Sequence, residues 1–169
     1  MSVKVIVYMH ITPNGMIATA SDHGFSSKRA KADFIKMINK IQVNIVGRRT
    51  FDVAVKKGNF PLKGLNILVT KHKVKNKWPN VIVTSASPRK ILKIVEQNGY
   101  SEAMVAGGKL ATSFIKMGLV NDIYLNVEPV VFGRGIRLFS DEEFYKKLKL
   151  VDAKRFSKNE VRLHYKVLN

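Results

Sequence analysis

Short apolar runs rich in β-branched residues recur along most of the chain, separated by segments of helical or turn character. The first run, residues 3–9, is apolar enough to be buried on both faces of a sheet, as parallel strands usually are. Further runs of this kind predict strands over residues 43–46, 65–70, 81–84, 103–106 and 123–131. We therefore expect six strands ahead of the C-terminal region.

The segments between these strands carry helical spacing and helix-capping residues. Ser27 is a predicted N-cap for a helix that ends near Ile41, because the apolar residues between them recur on one helix face. Ser87 followed by Pro88 predicts another helix start, since proline is favoured at the first helical position. That helix is expected to end at Gly99, and the two remaining helices are expected to end at Gly58 and Gly118.

The C-terminal region has a different pattern. Residues 147–150 and 160–167 alternate polar and apolar side chains, which is typical of strands with one face in water. His164 falls on the polar phase and is expected to face solvent. Strand–helix alternation before this region favours a parallel sheet covered by helices. The predicted class is α/β: a mixed, mostly parallel sheet between two helical layers, with a C-terminal antiparallel hairpin.

Length and composition set broad limits. The 169 residues suit one domain over residues 1–169, and the 46% of hydrophobic residues excludes a disordered protein. The absence of cysteine excludes disulfides and thiolate catalysis. No apolar run reaches the roughly 18 residues that span a bilayer, and the first run is too short for a signal peptide. We expect a cytoplasmic protein without a membrane segment.

The net charge is the feature of the composition that adds most to these expectations. The formal charge is +18, and no acidic residue lies between Asp52 and Glu96. Such a field attracts phosphorylated metabolites, nucleotide cofactors or nucleic acid. A basic nucleic-acid-binding protein is thus an alternative, but that interval holds only Phe60 and Trp78 as aromatic platforms, and no nucleic-acid-binding module is present. We expect at most weak, salt-sensitive binding of polyanions, without a specific nucleic-acid partner.

The first candidate ligand loop is Gly47-Arg48-Arg49-Thr50, which follows the second predicted strand. Open α/β sheets bind ligands at the carboxyl ends of strands. Thr50 is expected to cap the following helix, whose N-terminus would favour an anion. The two arginines would add charge-assisted contacts to phosphate. An ordinary capped helix with solvated arginines fits the composition equally well.

The second candidate loop is Gly107-Gly108-Lys109, between a buried strand and a helix. Paired glycines let a backbone approach a pyrophosphate closely, although they also mark tight turns. The spacing is neither that of a dinucleotide-binding GxGxxG segment nor that of a P-loop. A third glycine group, Gly133-Arg134-Gly135, is expected only to end the sixth strand and turn the chain.

Familiar catalytic sets are missing from the sequence. The histidines have no metal-ligand spacing, so no metal is predicted, and no GxSxG segment occurs. His10 lies where an active site would open, but a histidine in this place can also be a surface or capping residue. A bound cofactor is therefore expected to supply the chemistry. The histidines are His10, His23, His72 and His164, and the acidic residues nearest the loops are Asp22, Asp33 and Asp52.

Several segments match a known family in the order the family uses. Residues 12–18, Thr-Pro-Asn-Gly-Met-Ile-Ala, resemble "S-L-D-G-K-I-A", and residues 46–50 resemble "M-G-R-x-T". Residues 105–109 resemble the family's Gly-Gly turn, and residues 118–133 resemble "G-L-V-D-E … P-x-x-x-G". Together they resemble the dihydrofolate reductase-like superfamily. The similarity is closer to the reductase domain of the riboflavin-biosynthesis deaminase/reductase.

This resemblance implies hydride transfer from NADPH to a small, phosphorylated substrate, with a homodimer as the assembly. Ile17 and Ala18 would flank the nicotinamide, and Lys71 would lie near Arg48 at the adenosine end. The substrate would be 5-amino-6-(5-phosphoribosylamino)uracil or its diamino analogue. The implied cofactor contacts are Gly47, Arg48, Arg49, Thr50, Gly107, Gly108, Lys109 and Leu110.

The chain departs from the pattern of the family at two acidic positions. The first-helix carboxylate of dihydrofolate reductases falls at Ala30, with Asp33 nearly one helical turn later. Asn14, which cannot ionise, replaces the aspartate of the "D-G" pair. Asp33 and Asn14 are the candidate catalytic residues, and dihydrofolate reductase is the alternative enzyme. No deaminase segment is recognisable, so only the reductase half is expected.

Overall fold

The computed structural model describes residues 2–21 and 24–168, so Asp22 and His23 lie outside the described part. The helices are α1 (Lys28–Ile41), α2 (Arg48–Lys56), α3 (Pro88–Gln97) and α4 (Gly108–Lys116). The strands are β1 (Lys4–Ile11), β2 (Met16–Thr19), β3 (Val43–Gly47), β4 (Leu65–Val69), β5 (Val81–Thr84), β6 (Glu102–Ala106), β7 (Asp122–Val127), β8 (Gly135–Arg137), β9 (Lys147–Arg155) and β10 (Val161–Leu168). None of the helices within these residues combines the length and apolar content that a membrane crossing needs.

Eight strands form one sheet in the order β5-β4-β3-β6-β1-β7-β10-β9. The first six of that order are parallel, and β10 and β9 add the antiparallel hairpin at one edge. The predicted fold class is confirmed. Strands β2 and β8 form a separate two-stranded ribbon.

The alternation of β1 decides which helices lie on each face. Val5 and Val7 join the cluster that contains buried residues of α3 and α4, whereas Ile6 and Tyr8 join the cluster of α1. Phe51 of α2 packs with buried residues of β3 and β4 in a third cluster. Because successive side chains of a strand point to opposite faces, helices cover the sheet on both sides.

The predicted start of α1 is confirmed by a local hydrogen bond, whereas the predicted end of the sixth strand is not. Ser27 is the N-cap of α1, and its Oγ accepts a hydrogen bond from the Ala30 amide at 3.0 Å. The sixth predicted strand is shorter than expected and ends at Val127. Glu128 instead donates its amide to the Ile11 carbonyl at 2.8 Å, and Pro129 has no N–H with which to continue pairing.

The β2–β8 ribbon was not predicted. It pairs Ala18 with Ile136 and Thr19 with Gly135. A Cβ on Gly135 would lie 2.4 Å from the Ala18 carbonyl oxygen. The glycine group that was expected only to turn the chain therefore permits a close backbone approach, which holds the segment of Ile17 and Ala18 in place.

The predicted exposure of His164 is wrong. Its Nε2 lies 2.5 Å from Asp122 Oδ1, its ring stacks on Tyr124 with centroids 4.0 Å apart, and its side chain is only 15% exposed. Strand β10 lies between β7 and β9 rather than at the edge. The neighbouring strand β7 contributes Asp122 and Tyr124, which shield the imidazole, although the alternation itself was identified correctly.

We predict that Gly108→Ala destabilises the fold. A Cβ at Gly108 would lie 2.5 Å from the carbonyl oxygen of Arg137, so α4 and β8 would have to separate. Overpacking of this kind costs about 1–3 kcal/mol, which urea unfolding followed by circular dichroism would measure. Gly133→Ala is the matched control, since nothing lies within 4 Å of its Cβ position. Equal unfolding free energies for the two variants would contradict the packing argument.

Candidate functional site

Two helix N-termini lie next to each other at the carboxyl edge of the sheet. Helix α2 follows β3 and α4 follows β6, and these two strands are neighbours. Gly47 and Gly107 are the N-caps, and neither helix has a side-chain cap hydrogen bond. The first-turn amides are thus left for an anionic ligand or water.

The predicted capping role of Thr50 is wrong, because α2 begins at Arg48, three residues earlier than that role requires. Thr50 lies inside the first turn, next to the other helix start. Gly107 has a φ of 101°, and a Cβ there would lie 2.9 Å from Thr50 Oγ1. Gly107 is therefore required both by its backbone conformation and by the contact between the two loops.

Beside these helix starts lies an open cavity of about 410 Å³. It sits at the carboxyl ends of β4 and β5 and next to α2 and α4. Arg48 points along α2 to Asp52, with Nε 2.8 Å from each carboxylate oxygen. Cationic side chains thus line a cavity that also has an apolar wall. Its lining includes Arg48, Lys71, His72, Ser85, Ala86, Pro88, Ile91 and Leu110.

The neighbouring arginine has a different environment. Arg49 donates from Nη2 to the carbonyl oxygen of Ala20 at 3.2 Å, just after β2. Ile17 and Ala18 are half-buried on β2, while Lys109 is exposed in the first turn of α4. The structure therefore brings Arg48, Lys71 and Leu110 to one cavity, and it places Arg49 against the ribbon.

Asn14 is exposed and holds a turn. Its Nδ2 donates to the Phe132 carbonyl oxygen at 3.0 Å, and its Oδ1 accepts from the Thr12 hydroxyl at 2.6 Å. Both sequence segments of the resemblance, residues 12–18 and 128–133, are joined by this side chain.

Asp33 takes part in a polar network under α1. Arg162 Nη1 donates to both of its carboxylate oxygens, at 3.1 and 2.9 Å, and the Tyr8 hydroxyl donates to Oδ2 at 2.5 Å. Asn126 Nδ2 donates in turn to the Tyr8 hydroxyl at 2.8 Å. Burial and the hydrogen bond to Asp33 raise the pKa of Tyr8. The network ties α1 to β1, β7 and β10.

An aromatic layer accompanies the network. The Phe34 ring of α1 lies 5.6 Å from that of Tyr8 and 6.0 Å from that of His10, and Tyr124 stacks on Tyr8 at 5.9 Å. Sequence reasoning did not assign Tyr8 or Arg162 to the site. The period-2 alternation of β1, which places Tyr8 and His10 on the α1 face, was the available signal.

His10 and Glu128 form a second polar group. The sequence analysis placed His10 where an active site would open but gave neither residue a role. His10 Nδ1 lies 3.5 Å from Glu128 Oε1, and neither atom has a hydrogen-bond partner in the described part of the chain. The Ser27 amide donates to Glu128 Oε2 at 3.2 Å. Burial lowers the pKa of His10 to about 4 and raises the pKa of Glu128. Over residues 2–21 and 24–168, no cluster of acidic and histidine side chains could hold a metal ion.

Comparisons with known proteins identify the same architecture. The family described as the RibD C-terminal domain matches residues 62–161. The uncharacterized protein YwjB of Bacillus subtilis is 28% identical over 178 residues, covering 96% of this chain and 97% of that protein. The uncharacterized YyaP of the same organism is 27% identical over 145 residues, covering 78% of this chain and 77% of that protein.

Two solved structures show the likeness in three dimensions. A pyrimidine reductase-like protein of Corynebacterium diphtheriae superposes with a TM-score of 0.81 at 15% identity, over 99% of this chain and 92% of that one. A diaminohydroxyphosphoribosylaminopyrimidine deaminase/5-amino-6-(5-phosphoribosylamino)uracil reductase of Thermotoga maritima gives 0.80 at 18% identity. That match covers 99% of this chain and 57% of the Thermotoga chain. At these identities the likeness shows the fold.

The buried His10 predicts a specific pH dependence of stability. The imidazole protonates near pH 6.5 when unfolded and near 4 when folded, so the unfolded state binds more protons between these values. The free energy of unfolding should therefore fall with falling pH, by at most about 1.4 kcal/mol per pH unit from this group. His10→Gln should lose less stability than the wild type between pH 7 and pH 5 in urea titrations.

His72→Gln is the matched control for this measurement, because His72 is exposed. We expect it to follow the wild-type pH dependence. The assignment of a buried, neutral His10 would be contradicted by the same loss of stability in His10→Gln as in the wild type.

Proposed function

This chain belongs to the RibD C-terminal domain family, a family of reductase-like oxidoreductases, and from that membership we propose that it is an NADPH-dependent pyrimidine reductase. Its proposed substrate is 5-amino-6-(5-phosphoribosylamino)uracil or the diamino analogue. The observation that carries the proposal is the pair of helix starts without side-chain caps, next to a cavity lined by cations. This arrangement suits a ligand with a pyrophosphate and an additional phosphate.

The chemistry of the site fits a dinucleotide cofactor. The first-turn amides of α2 and α4 would hold the pyrophosphate, and Gly107 leaves the backbone open where a Cβ would meet Thr50. Arg48 and Lys71 would hold the adenosine 2′-phosphate within the cavity. NADPH supplies the hydride when it is bound. The further proposed contacts, from the resemblance, are Ile17, Ala18, Gly47, Arg49, Gly108, Lys109 and Leu110.

Dihydrofolate is the weaker substrate candidate. Ala30 is 1% exposed at the helical position where dihydrofolate reductases have a carboxylate. Both carboxylate oxygens of Asp33 accept hydrogen bonds from Arg162, and Oδ2 also accepts one from the Tyr8 hydroxyl. The Phe34 ring occupies space between α1 and the sheet. We propose that Asp33 acts by positioning Tyr8 and Arg162, and that Asn14 holds the turn that precedes β2.

We also propose a cytoplasmic homodimer, as the resemblance implies. The edge strand β9 offers an extended surface for a second copy, with Leu148, Leu150 and Val151 exposed by 42, 52 and 49%. No specific nucleic-acid partner is proposed. The net charge of +18 instead favours a phosphorylated substrate and weak, salt-sensitive contact with polyanions.

Cofactor oxidation tests the proposed substrate directly. With the phosphoribosylaminopyrimidine and dihydrofolate offered separately, we expect NADPH absorbance to fall only with the first. Direct titration of the cofactor, followed by fluorescence, measures NADPH binding without any substrate. Oxidation with dihydrofolate alone would reverse the substrate ranking, and absence of both binding and oxidation would overturn the enzyme proposal.

Arg48→Ala tests the position of the 2′-phosphate. A hydrogen bond to a charged group is worth about 1.5–3 kcal/mol, so NADPH affinity should fall roughly ten- to hundredfold while NADH affinity changes little. Added salt should reduce the difference, because exposed charges are screened. Fluorescence titrations with each cofactor measure both affinities.

Lys40→Ala is the control that removes one positive charge elsewhere. Lys40 is exposed in the last turn of α1, which precedes the start of β3 and so lies at the opposite edge of the sheet. The affinity of the Lys40→Ala variant for both cofactors should match that of the wild type. Equal losses of NADPH and NADH affinity in Arg48→Ala would assign Arg48 to the shared pyrophosphate instead.

A further inference from the structure

We propose that His10 and Glu128 form the proton-donating pair of this reductase, with His10 Nε2 as the nitrogen that faces the substrate. The inference rests on the proposed function, because reduction by a hydride also requires a proton. It assigns that proton to two residues to which the sequence analysis gave no catalytic role.

The pair lies at the same edge of the sheet as the helix starts. His10 is the last residue but one of β1, and the chain then turns at residues 12–15 into β2, which carries Ile17 and Ala18. Glu128 directly follows the adjacent parallel strand β7, and its amide donates to the Ile11 carbonyl. Both residues thus lie at the ends of neighbouring strands, close in the chain to the segment proposed to flank the nicotinamide.

The geometry fixes which ring nitrogen is available. His10 Nδ1 is buried and lies 3.5 Å from Glu128 Oε1, and neither atom has another partner within the described residues. The rings of Phe34 and Tyr8 lie 6.0 Å from the imidazole and restrict its rotation. The side chain of His10 is 17% exposed and that of Glu128 only 2%. Nε2 is therefore the nitrogen left to meet a ligand.

The surroundings disfavour a charge on either group of this pair. Burial and Lys31 of α1 lower the pKa of His10, while Asp33 of the same helix opposes them weakly. Burial and Glu160, which directly precedes β10, raise the pKa of Glu128, and the Ser27 amide and Lys31 oppose this shift. In the proposed pair the Glu128 carboxyl group carries the proton and faces the unpartnered Nδ1 of a neutral imidazole, so the pair holds one transferable proton.

Glu160 provides a route by which that proton can be replaced. It hydrogen-bonds to Glu128, and Ser27 and Ser157 lower its pKa by hydrogen bonding. Glu160 is only half-buried, whereas Glu128 is fully buried. Glu160, Glu128 and His10 thus form a series that runs from solvent to the strand ends.

The proposed step balances in atoms and electrons. The hydride and its electron pair form a new C–H bond at the anomeric carbon of the phosphoribosylamino group, and the C–O bond to the ring oxygen breaks. That oxygen takes the proton from His10 Nε2 while Glu128 Oε1 transfers its proton to Nδ1. Glu128 is left as a carboxylate, which solvent reprotonates through Glu160. The reaction consumes one NADPH and one proton.

Transient kinetics of His10→Gln and Glu128→Gln test this assignment, with 5-amino-6-(5-phosphoribosylamino)uracil as substrate. Positioned acid–base groups contribute about 10²–10⁴-fold, so both variants should lose kcat on that scale while their NADPH affinity stays unchanged. The wild-type rate should fall as rising pH deprotonates the pair. The fall in rate with rising pH should be absent in His10→Gln, and in Glu128→Gln it should occur at a different pH.

His164→Gln is the matched control, because His164 pairs with Asp122 through a hydrogen bond that glutamine can donate, away from the strand ends. It should retain the wild-type rate and pH profile. If His10→Gln fails to fold, the nearly isosteric Glu128→Gln variant still tests the assignment of the proton-donating pair. If the wild type turns over this substrate and both variants keep its rate and pH profile, this inference is overturned while the proposed function stands. A wild type that binds no NADPH, or that does not oxidise it with this substrate, would overturn the proposed function and this inference with it.

Discussion

Six adjacent parallel strands place their carboxyl ends along one edge of the sheet, and the rest of the architecture depends on this common direction. A parallel sheet must be covered on both faces, so each crossover returns the chain through a helix or a loop to the opposite edge. Helices α2 and α4 consequently begin at the same edge, after neighbouring strands. Their amide groups, the ends of β1 and β7, and the cavity beside Arg48 all lie there for that reason.

The polar network beneath α1 connects parts of the chain that are far apart in sequence. Asp33 and Arg162 are 129 residues apart, yet their ion pair is largely shielded from water, at 19 and 16% exposure. Separating them would leave a charge in an environment that solvates it poorly, so the pair favours one arrangement of α1 against β10. The N-terminal half of α1 is thereby fixed, including Ser27, whose amide orients Glu128.

Local patterns predicted the main sheet, but they could not predict contacts that depend on its assembly. Apolar runs located the strands, and glycines and Ser27 located helix ends, because these signals act within a few residues. The ribbon of β2 and β8 depends instead on pairing across more than one hundred residues. His164 was misplaced for a related reason, since alternation identifies a polar face without showing what covers it. The cavity residues Arg48 and Lys71 were accessible to prediction because each lies within two residues of the end of a buried strand.

Much of the candidate cofactor platform consists of main-chain groups: the first-turn amides of α2 and α4, and the close approaches at Gly107, Gly108 and Gly135. A backbone amide is present whatever side chain a position carries. Substitution can therefore remodel the substrate end of such a protein while its glycines preserve the shape at the other end. A site built from main-chain groups is therefore less sensitive to substitution than one built from side chains. Residues around a substrate could change, and specificity with them, while these main-chain groups stay in place.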